Sequence, residues 1–398
     1  MNRVLRHVHG TDENHKVTTL ELFFDLVFVF AITQVTQLMA IDSTARGAIR
    51  GLVLLALLWF AWASFAWLGN SAKADEGLLR LCLVGAVIAM FVVALAVPEA
   101  FGDRAGGLDA PLLLAIAYFG VRLAHLLVYL VVAGENPGLR KQLYRTLVAV
   151  GLSGVLLVVG AQAPGRIWWW LAAVAVDYGG IYFAGWSGWR LPSPAHFVER
   201  HGLIVLIAIG ESIVSIGVGV SGTPVTLAIL VASVAGLAVA VALWWLYFDV
   251  VALVAERVLT ELPSDQRPRL ARDSYTYLHF PMVAGIVFLS LGMKKVLSSV
   301  SDTGHHDLSD ALTGMPLLAL YGGTTVYLLA HIGFRLRNVR SLSRTRATTA
   351  LVLLASLPAA LAVPALAALG WLAVVMVSLV AFEAWRYASP RAEVRHAG

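Results

Sequence analysis

Uncharged apolar stretches of about 20 residues recur from one end of this chain to the other. A stretch of that length crosses the hydrocarbon core of a bilayer as an α-helix. Inside lipid, every backbone N–H and C=O must be satisfied within the protein, which leaves helices as the spanning element for such segments. The expected fold is therefore an all-α polytopic membrane bundle. Of the 398 residues, 59% are hydrophobic and only 13% charged, too little charge to cover a soluble protein of this size. Twelve spans are predicted: 20–40, 47–69, 78–97, 111–133, 144–161 and 168–187, then 202–221, 225–250, 276–297, 313–335, 347–364 and 366–386. Only Pro364 and its neighbours separate the last two, which leaves a tight hairpin or one broken element.

The basic residues set the orientation. The N-terminus, the even-numbered loops and the C-terminus carry 22 of the 29 Lys and Arg; the odd loops carry 6, and Arg122 lies within a span. That asymmetry predicts both termini in the cytoplasm. Trp168, Trp169 and Trp170 fall at the outer edge of span six, and Trp186 and Trp189 at its inner edge, where indoles sit best. The first apolar run has no small-residue cleavage pattern and reads as a permanent span rather than a signal peptide. Cys82 stands alone, so no disulfide can form within the chain. The net charge of +5 lies in short loops and speaks for topology, not for nucleic acid.

Span seven resembles span one. Aligned, Ala31 meets Ala208, Ile32 meets Ile209, Thr33 meets Gly210 and Gln34 meets Glu211. Spans four and ten also correspond, RLAHLLVYL against YLLAHIGFRL, which pairs His125 with His331. Six spans per half is an even number, so the expected duplication is of the parallel kind, two six-helix repeats of one orientation. The expected organisation is a cytoplasmic N-terminal segment (1–19), a first half (20–187), a connector (188–201), a second half (202–387) and a cytoplasmic tail (388–398).

The stretches TTLELFFDLVFVFAITQVTQLM and ERHGLIVLIAIGESIVSIGVG resemble the two signatures of the bacterial low temperature requirement A family. The resemblance covers nearly the whole chain. It implies a multi-pass protein of the bacterial inner membrane and no defined reaction. Phe24-Asp25 followed by VFVFAIT is also similar to the phenylalanine-serine-aspartate opening of a potassium channel family of lysosomes and bacteria, with Phe24 in place of the serine and Gly202 at the aligned position of the second half.

Ionisable groups inside spans are expensive and mark functional sites by default. Glu21 and Asp25 are four apart and share a helix face. They read as a cation- or proton-attracting mouth, or else as an anion on a helix N-terminus and an interhelical contact. Glu211 falls about 14 Å into span seven, as an ion, proton or substrate contact or as half of an interhelical ion pair. Arg122 needs an acid, and Glu211, Asp177 and Asp25 are available. His125 and His331 relay protons or glue helices by hydrogen bonds. Asp177-Tyr178-Gly179-Gly180 is expected to break span six near its middle. Glu199-Arg200-His201 is expected just before span seven, at the cytoplasmic surface. Asp249 reads as a boundary residue, and His305-His306-Asp307 as a solvated loop rather than a metal site.

No nucleotide loop, zinc motif, nucleophile elbow or dinucleotide fingerprint occurs. The expected function is a transporter or channel-like protein. It would move a proton, monovalent cation or small solute along a path between the halves, lined by Glu21, Asp25, Arg122, His125, Asp177, Glu199, Glu211 and His331. The alternatives are an intramembrane enzyme acting on lipid or an isoprenoid-linked substrate at Asp25, Glu199 and His201, and a structural or signalling membrane protein. No cofactor or metal is expected. Membrane lipid is the expected environment, and a homo-oligomer is compatible with the sequence.

Overall fold

The structure is a computed structural model that describes residues 16–102, 106–302 and 307–386. His305 and His306 lie outside the described residues, as do most of the predicted terminal segments. Among the described residues the architecture is helical. In order come α1 (Thr19–Ile41), α2 (Ala45–Ser71), α3 (Gly77–Ala96), α4 (Ala110–Val132), α5 (Pro137–Gln162), α6 (Arg166–Ala184) and α7 (Pro194–Gly219). Then come α8 (Leu227–Phe248), α9 (Val251–Glu261), α10 (Arg267–Ala271), α11 (His279–Ser301), α12 (Gly314–Val339), α13 (Arg344–Ala360) and α14 (Ala365–Arg386). A π-helical turn, Arg272–Tyr277, leads into α11.

Each predicted span has its helix. Eleven are long and apolar enough to cross a membrane; the twelfth, α13, has 17 residues and carries Pro358 inside it. The last two spans form a hairpin rather than one broken helix, because the Trp371 indole N–H of α14 donates to Ser356 Oγ of α13 at 3.0 Å. Their turn is held by an antiparallel bridge between Ala311 and Pro364 and by Ala365 N–H donating to Asp310 O at 2.9 Å.

Prolines shift the helix starts. α5 begins at Pro137, with Asn136 Oδ1 accepting from Leu139 N–H at 3.1 Å. α7 begins at Pro194, inside the expected connector, with Ser193 as its cap. Proline at the first helical position lacks only an N–H that would be unpaired there anyway, so these prolines open helices instead of ending them. Arg200 and His201 therefore lie well within α7. In α6 the expected break at Gly179-Gly180 does not occur: the helix is continuous from Arg166 to Ala184. Gly180 instead allows close packing, since a Cβ there would lie 2.3 Å from the Ala149 Cβ of α5. Glycine pairs in a helix permit a bend but do not impose one where neighbours hold the backbone.

The chain groups into two compact units, one of Met1–Leu38, Ile49–Arg200 and Leu262–Ala271, the other of Met39–Ala48, His201–Glu261 and Arg272–Gly398. In the first unit α2 is the most enclosed span. Tyr178 of α6 donates to Ala56 O of α2 at 3.1 Å, and Trp170 of α6 donates to Leu157 O of α5 at 3.1 Å. In the second unit α11 and α12 are packed backbone to backbone. A Cβ on Gly285 would stand 2.6 Å from Gly323 O, and one on Gly292 would stand 2.6 Å from Leu320 Cα. Small residues at such a crossing let dispersion contacts replace the hydrophobic driving force that lipid cannot supply.

Candidate functional site

In the first unit, the two acids of α1 meet two basic residues at the start of α7. Both pairs are four residues apart on their helices, so each pair presents one face. Glu21 lies against His196, whose Nε2 is 3.1 Å from Oε1 and 3.2 Å from Oε2. Asp25 Oδ1 accepts from Arg200 Nη2 at 2.9 Å. Arg200 Nη1 also stands 3.4 Å from Glu21 Oε1, so one guanidinium bridges both carboxylates. All four side chains are buried.

The second layer comes from α2. The Trp62 indole N–H donates to Asp25 Oδ1 at 2.8 Å, and the Arg200 guanidinium lies 5.7 Å from the Trp62 ring centroid. Asn70 Nδ2 donates to Ser193 O and sits 3.4 Å from His196 Nδ1. Gly69 makes room for Glu21, because a Cβ there would lie 2.5 Å from Oε1. Glu21 also closes the α1 N-terminus: Oε2 accepts from Thr18 N–H at 2.9 Å while Thr18 Oγ1 accepts from Glu21 N–H at 3.3 Å. That reciprocal arrangement is a capping box.

Charge counting then gives the cluster its chemistry. Glu21 and Asp25 are two acids against one permanent cation, Arg200, and one imidazole. The four groups balance only when they hold one further positive charge, as a proton or as a bound monovalent cation. Asp25 Oδ2 is buried and has no hydrogen-bond partner among the described residues. A buried acceptor left this way carries a desolvation penalty that a proton or cation relieves.

Arg122 of α4 pairs with Asp177 of α6, with Nη2 at 2.8 Å from Oδ1 and 3.1 Å from Oδ2. Nη1 donates to Phe60 O at 3.3 Å and also to Ser64 Oγ. Both Asp177 oxygens are paired in this way inside the first unit, while Arg122 Nε is buried with no hydrogen-bond partner among the described residues. His125, one turn along α4, packs edge-on against Phe65 and Tyr129, with ring centroids 5.3 and 5.6 Å away.

The second unit holds its own polar groups. Glu211 of α7 is buried, accepts from Ser215 Oγ at 3.1 Å and interacts electrostatically with Lys294 of α11. Because α7 starts early and has 26 residues, Glu211 sits in its C-terminal half rather than nine residues from its start. His331 of α12 accepts a hydrogen bond from Arg346 Nη1, and Arg346 is locked to Glu383 by bonds of 3.0 and 2.8 Å. Arginine only donates, so His331 presents a bare nitrogen to it, and a proton there would have to displace Arg346. His201 stacks edge-on against Tyr275 and His279, while His279 bonds Tyr247 OH at 2.8 Å and Ser274 O at 2.9 Å.

Of the residues singled out from the sequence, Glu21 and Asp25 are brought together, and so are Arg122 and Asp177. Glu199 is exposed, whereas His196 and Arg200 are buried. Arg200, expected at the cytoplasmic surface beside Glu199 and His201, is buried instead, and no expectation fell on His196 or Trp62. Their signal was the spacing of His196 and Arg200, visible once α7 is extended back to Pro194. Arg346, Glu383 and Lys294 were likewise charges within or beside predicted spans.

A family model described as bacterial low temperature requirement A protein matches residues 16–381. A protein of Rhizobium meliloti (strain 1021) described as uncharacterised is 28% identical over 331 residues, covering 79% of this chain and 77% of its own. No solved structure matches.

Proposed function

The chain belongs to the bacterial low temperature requirement A family, and from that membership we propose that it is a multi-pass protein of the bacterial inner membrane that moves a proton or monovalent cation, alone or with a small solute. Both termini face the cytoplasm in this reading, as the distribution of basic residues favours. The single observation that supports transport is the cluster of Glu21, Asp25, His196 and Arg200. It is buried within spanning helices, is one positive charge short of balance, and leaves Asp25 Oδ2 without a donor. The Arg122–Asp177 pair differs in that one arginine meets one acid through both carboxylate oxygens, so its charges balance. Glu211, with Ser215 and Lys294, is a second intramembrane acid suited to the same task.

The test is flux into proteoliposomes, followed with a pH-sensitive dye and with potassium and sodium gradients. Wild type should exceed empty vesicles for a proton or a monovalent cation. Asp25→Asn and Glu211→Gln should each lower that flux by about tenfold or more, the size expected when a group that carries the charge is lost. Wild-type flux equal to that of empty vesicles for all three ions would remove the proposal.

A further inference from the structure

We propose that the start of α5 is a headgroup site for an anionic glycerophospholipid, a lipid whose phosphodiester leaves it with net negative charge. Arg140, Lys141 and Arg145 line an open groove there with Pro137, Tyr144 and Val148. Lys141, Tyr144 and Arg145 are exposed and Arg140 is half-buried. All six residues belong to the first unit.

The three cations are oriented but not neutralised. Arg140 donates to Gly134 O at 3.1 Å and to Tyr144 OH at 3.0 Å, and Arg145 donates to Ala184 O at 3.1 Å. These acceptors carry no charge. Among the described residues no carboxylate lies within ion-pair distance of Arg140, Lys141 or Arg145, the exposed Glu135 of the preceding turn included. Other basic residues near span ends do meet acids: Lys73 pairs with Glu76, Arg337 with Asp273 and Arg346 with Glu383. The first turn of α5 holds no acid either. A helix N-terminus is the positive end of the dipole and disfavours cations, so Arg140 and Lys141 stand in an unfavourable field that an anion relieves.

The same helix face continues as an apolar track. Val148, Leu152, Val155 and Val159 follow Tyr144 at helical spacing and are all exposed, so acyl chains can lie directly below the cations. Asn136 Nδ2 donates to Gly188 O at 3.0 Å, which holds the segment after α6 beside this end of α5. Trp186 of that segment is exposed, and an indole there marks the headgroup level of a bilayer. Clustered Lys and Arg at that level recognise anionic headgroups.

The site is independent of the transport reading and is tested by binding alone. The full-length protein in detergent is delipidated, then titrated with phosphatidylglycerol, phosphatidylethanolamine or glycerol phosphate, with retention read by native mass spectrometry. Phosphatidylglycerol should bind about tenfold or more tightly than either of the others. The preference should shrink as salt is raised, because exposed charges are screened. Arg140→Gln, Lys141→Gln and Arg145→Gln together should weaken phosphatidylglycerol binding by about tenfold or more. Lys141→Glu, which breaks no hydrogen bond of the fold, should weaken it by about tenfold on its own. The same charge removed at the exposed Arg46, Arg80 and Arg344, each to Gln, should leave binding within about twofold of wild type. Equal binding of phosphatidylethanolamine overturns the proposal, and glycerol phosphate binding as tightly as the lipid overturns the assignment to lipid. Unaltered binding in Lys141→Glu, or an equal loss in the Arg46, Arg80 and Arg344 control, overturns it as well.

Discussion

Arg200 holds Asp25 by a single oxygen, Oδ1 at 2.9 Å, while the second oxygen of the same carboxylate faces no donor. The pair is buried on both sides, so its members depend on each other more than a surface pair does. Arg200→Gln leaves two uncompensated acids and should cost about 3–5 kcal/mol in unfolding measured in detergent. Asp25→Asn in the same background should restore much of that loss. If the double variant is as unstable as the sum of the singles, the two residues do not act as a pair.

Glu21 combines a cap and a charge, and the two separate by substitution. Glu21→Gln keeps the capping-box acceptor and loses only the charge opposite His196. Glu21→Ala loses both and should be less stable than Glu21→Gln by about 1 kcal/mol. Equal melting temperatures for the two variants would mean that the Thr18–Glu21 cap contributes nothing.

The Arg122–Asp177 pair balances one charge against one, which gives it a different mutational signature. Either residue replaced alone by leucine should destabilise by about 3–5 kcal/mol, because the other charge is stranded. Both replaced together by leucine should come close to wild type, since a well-packed apolar pair avoids the desolvation penalty altogether. Chemical unfolding of the three variants distinguishes this from simple additivity.

Gly285 of α11 and Gly323 of α12 touch backbone to backbone. Gly285→Val should separate the helices at a cost of about 1–3 kcal/mol or more, as overpacking does. The same substitution at Gly120, where a Cβ meets nothing within 4 Å, should be mild and serves as the control.

Asp109 caps α4, accepting from Leu112 N–H at 3.0 Å and from the Gln162 side chain, and these bonds hold its carboxyl below the ordinary carboxylate range. A lowered folded pKa means that the cap is at full strength above about pH 4, the ordinary value for aspartate. It is lost as the pH falls through the lowered folded value. Asp109→Asn, which caps without ionising, should flatten the acid limb of the stability profile. An unchanged acid limb would rule out this cap as a contributor.

The helices were legible from the sequence because lipid imposes length and polarity on each span without reference to its neighbours. α1 and α4 start and stop within a residue or two of expectation. The partners of the charges were not legible, because pairing depends on which helices lie side by side. Arg122 had three acids open to it and takes Asp177. Pro194 reads in the sequence as part of a connector, which puts Arg200 at the surface and passes over His196, whereas it opens α7 and carries both inward. Gly179-Gly180 failed similarly, as a bend that the packing against Ala149 does not use. The alignment of His125 with His331 has a sequel that only the ion pairs reveal: the same shift along the chain places Asp177 on Glu383, the acids that hold Arg122 and Arg346 in their respective units.

The short α13 bears on how the protein is made. With 17 residues, an internal proline and Arg346 in its first turn, it is a weak substrate for the translocon when it emerges alone. Its countercharge, Glu383, and its indole partner, Trp371, are synthesised later, on α14. The two segments are therefore suited to enter the bilayer together, as a preassembled pair. A nascent chain halted before α14 should leave α13 at the membrane surface, accessible to labelling from the side on which it was synthesised.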